Sequence, residues 1–405
     1  MDFRPSRLLA AFAILVLSNG CKILREGFHR KTGVDPEIYQ TAYDIIESKG
    51  YSAKSYIIVT PDDYLLTVHR ISPKKPLLEG KRNVVLLQHG LLDSAHTWIN
   101  NLANQSLGFI LSDMGYDVWL GNSRGSTYSQ YHKSLDASNE EFWQFSWDDM
   151  AHNDLPATID FVLNQTGKDK LFYIGHSQGT QIAFAKLNSD PVLRSKVAAM
   201  VALAPVAYLA NVKSPIRFMS TVCKGIESVV TWFGRGRFLP SSSLMRFLGL
   251  FLCRRQSIPF VCSNIIYLLA GYDAHNTNTT RLPVYVAHTP AGTSVRNMVH
   301  YCQSMSHGKF QAFDFGKVGN MFHYNQTVPP VYGLNNIDLP LKLYWGGDDW
   351  LAAPTDVSNL LDELPRRSYI RDMYLPYYNH LDFVWGLDAA RVIYADILHF
   401  FKEFQ

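Results

Sequence analysis

At 405 residues the chain is roughly two to three times an ordinary domain, enough for a large core or two units. Lys and Arg number 38 against 35 Asp and Glu, a net charge of +3, and 47% of residues are apolar against 18% charged. That balance excludes a disordered chain and a strongly basic nucleic-acid binder, and no apolar run reaches the ~18 residues of a bilayer-spanning helix.

Residues 1–20 begin with Arg4 and Arg7, continue as an apolar run from Leu8 to Leu17, and end with the small residues Ser18 and Gly20. This is the pattern of a signal peptide, with the mature chain starting near Cys21. Sequons at Asn104, Asn164, Asn278 and Asn325 agree with passage through the secretory pathway. Of the five cysteines, Cys253 and Cys262 lie nine residues apart, close enough to staple one segment if the local geometry allows. Cys223 and Cys302 flank them as thiols that can be buried and inert. There is no C-x-x-C pair, so a zinc ribbon or dithiol redox site has no support.

Further along, Ser55–Thr60 and Tyr64–Ile71 are β-rich and separated by Pro61-Asp62-Asp63, which predicts a hairpin. Asn83–Gln88, with Val84-Val85-Leu86-Leu87 at its centre, reads as a strand covered on both faces. Ser106–Met114 reads as a helix, Tyr116–Leu120 as a strand, Phe145–Leu163 as a helix and Leu171–Ile174 as a strand. Gln178–Leu187 is again helical, and Val197–Val206 is another buried strand. This alternation predicts an α/β fold with a mostly parallel sheet and helices on both faces. The rhythm breaks at about residue 211. From there to 333 no clean strand is visible, while Leu244–Leu252 and Ile258–Ala270 are apolar and helical in spacing. Leu339–Trp345 and Tyr369–Leu375 resume the strand pattern, and a helix from about Leu387 to Phe401 closes the chain. The expected organisation is a signal peptide over 1–20, a core over 21–210, a helical insertion over 211–333, and the rest of the core over 334–405.

The chemistry falls at strand ends. Gly175-His176-Ser177-Gln178-Gly179 is a G-x-S-x-G element preceded by Leu171-Phe172-Tyr173-Ile174 and followed by a helix. A sharp strand-to-helix turn needs glycines where backbone meets backbone, and it lifts the serine hydroxyl to a helix N-terminus that favours negative charge. Ser177 is therefore the candidate nucleophile. It needs a base held by an acid, in the order Ser, acid, His. His399 lies inside the last helix and reads as a packed or half-exposed residue. His380, in the loop Tyr377–Asp382, is the candidate base. For the acid, Asp348 and Asp349 both follow a strand and two glycines. The turn favours Asp349, yet the residues alone leave the pair open, with the other available as a helix cap. The oxyanion donors expected are the amides of Gln178 and, in the loop His89-Gly90-Leu91-Leu92, of Leu91. No H-E-x-x-H, no G-x-G-x-x-G and no Gly-Lys pair followed by Ser or Thr occurs, so neither a metal nor a nucleotide cofactor is expected.

Taken in order, Gln88-His89-Gly90-Leu91-Leu92, Asp117-Val118-Trp119-Leu120-Gly121-Asn122-Ser123-Arg124-Gly125, His176–Thr180, Pro290-Ala291-Gly292-Thr293-Ser294 and Asn379-His380-Leu381-Asp382-Phe383 resemble the acid lipase family, the gastric and lysosomal acid lipases. The resemblance covers nearly the whole mature chain. It implies an α/β-hydrolase core with a helical cap and mobile lid, acting on triacylglycerols or cholesteryl esters at a lipid–water interface. It implies Ser177 as nucleophile, His380 as base, Asp349 as acid, Leu91 and Gln178 as oxyanion amides, and a Cys253–Cys262 disulfide. Relatives commonly carry Asn before the acid and Leu after it, where this chain has Asp348 and Trp350. Two adjacent carboxylates repel each other's charge, so the family's pH optimum is not carried over to this chain.

Met245, Phe247, Leu248, Leu250, Phe251 and Leu252 are read either as an acyl tunnel and lipid-facing surface or as plain packing of cap on core. The expectation is a serine lipase of the secretory pathway, extracellular or lysosomal, with no cofactor and no nucleic-acid partner. Its alternatives are a carboxylesterase or acyltransferase on the same scaffold, or a secreted lipid-binding protein without catalysis. Oligomeric state is not legible.

Overall fold

Val84–Gln88, Asp117–Gly121 and Leu171–His176 are buried along their whole length, as a strand must be when helices cover both faces of its sheet. The computed structural model describes residues 35–72, 82–218, 236–239, 266–272 and 276–405, and in it these segments form the middle of one sheet. Its longer strands are β1 (Ser52–Val59), β2 (Tyr64–Ser72), β3 (Val84–Gln88), β4 (Asp117–Gly121), β5 (Leu171–His176), β6 (Val197–Leu203), β7 (Leu341–Gly346) and β8 (Ile370–Leu375). They run in the order β1-β2-β4-β3-β5-β6-β7-β8, with the two-residue strand Tyr131–His132 paired beside β2. β1 and β2 form an antiparallel hairpin, β2 joins β4 antiparallel, and every pair from β4 to β8 is parallel.

Parallel register is what assembles the site. Gln88 sits beside both Gly121 and Gly175, His176 beside Leu203, Tyr344 beside Leu203, and Gly346 beside Leu375. All these strands therefore end at one edge, where ligand sites of open α/β sheets lie.

Some elements differ from expectation. The stretch expected as one helix over Phe145–Leu163 is α-helical at Trp147–Asp149, a π-helix over Met150–Asp154 and α-helical again over Leu155–Thr166. Pro156 has no amide to donate, so the regular ladder cannot run through it and the wider register carries the turn. β6 ends at Leu203 because Ala204 turns to φ 47°, outside the extended region. The last helix starts as a π-helix at Ala390, three residues late, and ahead of it the amides of Leu387 and Asp388 donate to the carbonyl and the side chain of Asn276. Within 211–333, where no strand was expected, Arg237–Phe238 pairs antiparallel with Thr293–Ser294. That region otherwise contributes helices Leu282–His288, Val295–His307 and Gly316–Tyr324, and residues 266–270 are helical. The signal segment, Cys21, Cys223, the Cys253–Cys262 pair and the apolar stretch Met245–Leu252 lie outside the described residues.

The turn after β5 depends on two glycines. A Cβ on Gly179 would sit 2.3 Å from the Gln88 carbonyl oxygen, and one on Gly175 would sit 2.7 Å from the Gly179 backbone. Both obstacles are main chain, so neither can swing aside. Gly179→Ala is expected to destabilise the fold by about 3 kcal/mol or more. A shifted midpoint in urea, with unchanged slope, is the measurement.

Candidate active site

Ser177 follows β5 directly and sits at the N-terminal cap of helix Gln178–Ser189 with φ 52° and ψ −118°. L residues avoid this conformation, and it persists only where the surroundings dictate it. Here the Ser177 amide donates to the Leu203 carbonyl at 3.0 Å, while the Ser177 carbonyl accepts from the Thr180 amide and hydroxyl at 2.8 and 2.7 Å. The backbone is fixed on both sides, leaving the hydroxyl projecting beyond the sheet edge.

There it meets the other two side chains. Ser177 Oγ lies 2.8 Å from His380 Nε2, and His380 Nδ1 lies 2.9 and 3.1 Å from the two oxygens of Asp349. Asp349 is fully buried, and its Oδ1 also accepts the amides of Leu351 and Ala352 at 2.8 Å each, which fixes the carboxylate plane. With Nδ1–H donated to Asp349, Nε2 is left as the acceptor facing the serine, the tautomer a general base requires. Asp348 is half-buried and does not cap the following helix, whose N-terminal residue Ala353 has no side-chain cap. His399 stands exposed on the last helix, contrary to its reading as packed or half-exposed.

Gly90 packs against Ser177, since a Cβ on it would lie 3.0 Å from Ser177 Cβ. The loop it begins carries Leu91, Leu92 and Asp93 into the cavity beside Ser177 and His380. That loop is held from across the chain, because the Leu92 carbonyl accepts the Ala291 amide at 2.6 Å. Gln178 is pinned in the same way. Its Oε1 accepts from Asn297 Nδ2 at 3.0 Å and lies 3.2 Å from the Tyr301 hydroxyl, while its Nε2 points at Met150 Sδ at 3.0 Å. Both candidate oxyanion amides thus sit on backbone braced by residues 290–301. Sequence reasoning had no handle on Asn297 or Tyr301, because no local pattern records a contact spanning more than a hundred residues. His176 was also missed. Its Nε2–H donates to the His380 carbonyl at 2.9 Å, tying the His380 loop to the Ser177 turn.

The cavity at this edge has a volume of about 530 Å³ and is lined by Val206, Leu209, Met298 and Leu351 among other apolar side chains. One carboxyl group, Asp93, enters its wall with Thr289 Oγ1 3.2 Å away, and burial raises its pKa to about 6. Asp148, which accepts from the Phe313 amide and the Tyr332 hydroxyl, is pushed up to about 7, also by burial. Burial also raises Asp154, against the pull of the Arg124 guanidinium. Five imidazoles among the described residues move the other way: burial lowers His69 and His89 to about 4, His176 and His300 to about 3, and His152 below its ordinary value.

These shifts fix the sign of a pH effect. An imidazole kept neutral in the fold but protonated in the unfolded chain removes stability as pH falls below ~6.5. A carboxyl that holds its proton in the fold acts oppositely, its contribution being complete below the ordinary carboxylate range and lost as pH rises through 6 to 7. Five lowered imidazoles outweigh three raised carboxyls, so Tm is expected to fall between about pH 6.5 and 4. Asp148→Asn is expected to steepen that fall, because it removes one opposing gain. Thermal melts across the range test this, and a Tm rising on acidification would contradict the histidine accounting.

Elsewhere, Asn104, Asn164 and Asn325 are exposed, whereas Asn278 is half-buried with its side chain accepting from the Thr280 amide. Cys302 is buried and disulfide-bonded, not the inert thiol the sequence suggested.

A sequence profile for the alpha/beta hydrolase fold matches residues 83–387, and one for a partial alpha/beta-hydrolase lipase region matches residues 42–102. The chain is 42% identical over 377 residues to the lysosomal acid lipase/cholesteryl ester hydrolase of Homo sapiens, covering 92% of this chain and 94% of that protein. It is 44% identical over 371 residues to the gastric triacylglycerol lipase of Homo sapiens, covering 91% and 92%. To lipase member M of Mus musculus it is 44% identical over 373 residues, covering 91% and 87%. Among solved structures, a membrane phospholipase A described as a bacterial virulence factor aligns with TM-score 0.50 at 15% identity, covering 98% of this chain and 96% of that one. A structure from Sulfolobus solfataricus aligns with TM-score 0.55 at 14% identity, covering 84% and 90%. At such identities the likeness is one of fold.

Proposed function

The chain belongs to the acid lipase family of the α/β-hydrolases and is a serine ester hydrolase; on that premise we propose that Ser177, His380 and Asp349 cleave neutral lipid esters, both triacylglycerols and cholesteryl esters. The observation that carries this reading is the 2.8 Å approach of Ser177 Oγ to His380 Nε2 at the floor of an apolar cavity. His380 takes the hydroxyl proton as Oγ attacks the ester carbonyl, and Asp349 balances the imidazolium. The amides of Leu91 and Gln178 receive the oxyanion, His380 returns its proton to the departing alcohol, and the acyl group stays on Ser177. Water then repeats the sequence and frees the fatty acid.

The acyl chain takes the cavity. Its rim includes Leu239 and Leu269, both about two-fifths exposed, with exposed Leu268 beside them, an apolar edge suited to a lipid surface. Three exposed sequon asparagines support a route through the secretory pathway to an extracellular or lysosomal lumen.

The test compares emulsified triolein and cholesteryl oleate with a soluble short-chain ester across a pH series. A higher kcat/KM for the long-chain esters is expected. Preference for the short ester would make the protein a carboxylesterase instead. Failure of a fluorophosphonate to label Ser177 would leave only a lipid-binding role.

A further inference from the structure

Residues 266–272 meet the active site twice, in two different ways. Their side chains Ile266 and Leu269 line the cavity, and Leu269 is also open to solvent. Their backbone, at the end of the helical turn, holds the loops of the acid and the base. The Ala270 carbonyl accepts two amides, from His380 and from Trp350, each at 3.2 Å. One carbonyl oxygen therefore bridges the base's own main chain and the residue after the acid. The next carbonyl, of Gly271, accepts Asn379 Nδ2 at 3.2 Å, on the residue before the base.

Each loop is braced further. The Trp350 carbonyl accepts the amides of Lys213 and Ser214 at 2.9 and 3.1 Å. Asn276 accepts the amides of Leu387 and Asp388 beyond the base, and Thr277 bridges Gly386. Asn379 also shapes its own loop. Its Oδ1 accepts the amides of Leu381 and Asp382 at 2.8 and 3.1 Å, and its own amide donates to Asp382 at 2.7 Å. Fit between segment and loops is close: a Cβ on Gly271 would lie 1.9 Å from the Asp348 carbonyl oxygen, and its φ of 115° belongs to glycine.

We propose that Gly271 and Asn379 are positioning residues, which make the alignment of His380 with Asp349 depend on where the cavity-lining segment Ile266–Gly271 sits. The hydroxyl–imidazole–carboxylate relay spans two loops that meet directly, the Asp348 amide donating to the Tyr378 carbonyl at 3.2 Å, and Ala270–Gly271 adds a second tie between them, at Trp350, Asn379 and His380. A lipid chain pressing on Ile266 and Leu269 then acts on the same rigid turn that sets the base. This inference rests on the serine hydrolase reading above.

The experiment measures kcat, KM and the rate of fluorophosphonate labelling on a soluble short-chain ester. It uses the full chain, Gly271→Ala, Asn379→Ser and each change combined with His380→Ala. Serine keeps an acceptor for the Leu381 and Asp382 amides but cannot reach Gly271. Gly271→Ala is expected to lower kcat and the labelling rate together by about 100-fold, since displacement by about 1 Å suffices for that, with KM within twofold. For Asn379→Ser the expected fall is about tenfold. Neither change should lower the residual labelling of the His380→Ala background, because both act through that imidazole. If Gly271→Ala does not fold, Asn379→Ser decides. A folded Asn379→Ser protein with kcat and labelling within twofold of the parent overturns the proposal, as does an equal loss in the His380→Ala background. Absence of labelling in the unaltered protein would instead overturn the hydrolase reading itself.

Discussion

Ser177→Ala is expected to fold normally and to hydrolyse esters about 10⁵ to 10⁶ times more slowly. The substitution removes one oxygen whose described partner is His380 Nε2, at 2.8 Å. Everything that shapes the turn is main chain: the amide bond to Leu203, the carbonyl bonds to Thr180, and the contacts of Gly175 and Gly179. Alanine and serine are equally ill suited to φ 52°, so the strain at this position is common to both proteins. Stability should therefore change little while turnover collapses. The remaining catalysis would come from the amides of Leu91 and Gln178 and from substrate binding, which persist without a nucleophile. Initial rates on a soluble ester, beside a thermal melt, make the measurement. A variant that keeps a tenth of the parent's kcat would remove Ser177 from the mechanism.

Ser177 and His380, the proposed nucleophile and base, could be singled out in the sequence because each is announced locally. Leu171–Ile174 predicts a buried strand, Gly175 and Gly179 predict a close approach at its end, and His380 occupies a loop after the last strand. Parallel register then does the assembly, aligning Gln88, His176, Leu203, Gly346 and Leu375 along one edge. The proposed acid was harder to single out, since Asp348 and Asp349 share every local feature. Only the turn fixed by the Leu351 and Ala352 amides brings the Asp349 carboxylate to His380. The braces behind the site were illegible for a different reason. Ala270 acts through its carbonyl, which any residue possesses, and Asn297 reaches Gln178 across 119 positions. Neither side-chain type nor period records such contacts. The π-helix over Met150–Asp154 was similarly hidden, because its apolar spacing imitates an ordinary helix and only Pro156 hints at a break.

Asp349→Asn should lower kcat about 10⁴-fold with KM nearly unchanged, a smaller loss than at Ser177 but from a subtler cause. Asparagine keeps the shape, and its Oδ1 can still accept the Leu351 and Ala352 amides, so the loop should hold. The second oxygen, 2.9 Å from His380 Nδ1, becomes an NH₂ group. A donor there forces Nδ1 to accept, and the imidazole proton moves to Nε2. Nε2 then faces the Ser177 hydroxyl as a donor and cannot take its proton. The buried imidazolium of the transition state also loses its counter-charge. Asp348→Asn is the matched control. Its carboxyl belongs to the neighbouring residue, whose described hydrogen bond is a backbone one, from the Asp348 amide to Tyr378, so kcat should stay within about threefold. Combining Asp349→Asn with Ser177→Ala should cost nothing beyond Ser177→Ala alone, as groups acting as one unit are non-additive. Equal losses at 348 and 349 would mean that the net negative charge of the loop matters, not the hydrogen bond to Nδ1, and would overturn the assignment of Asp349 as the orienting acid.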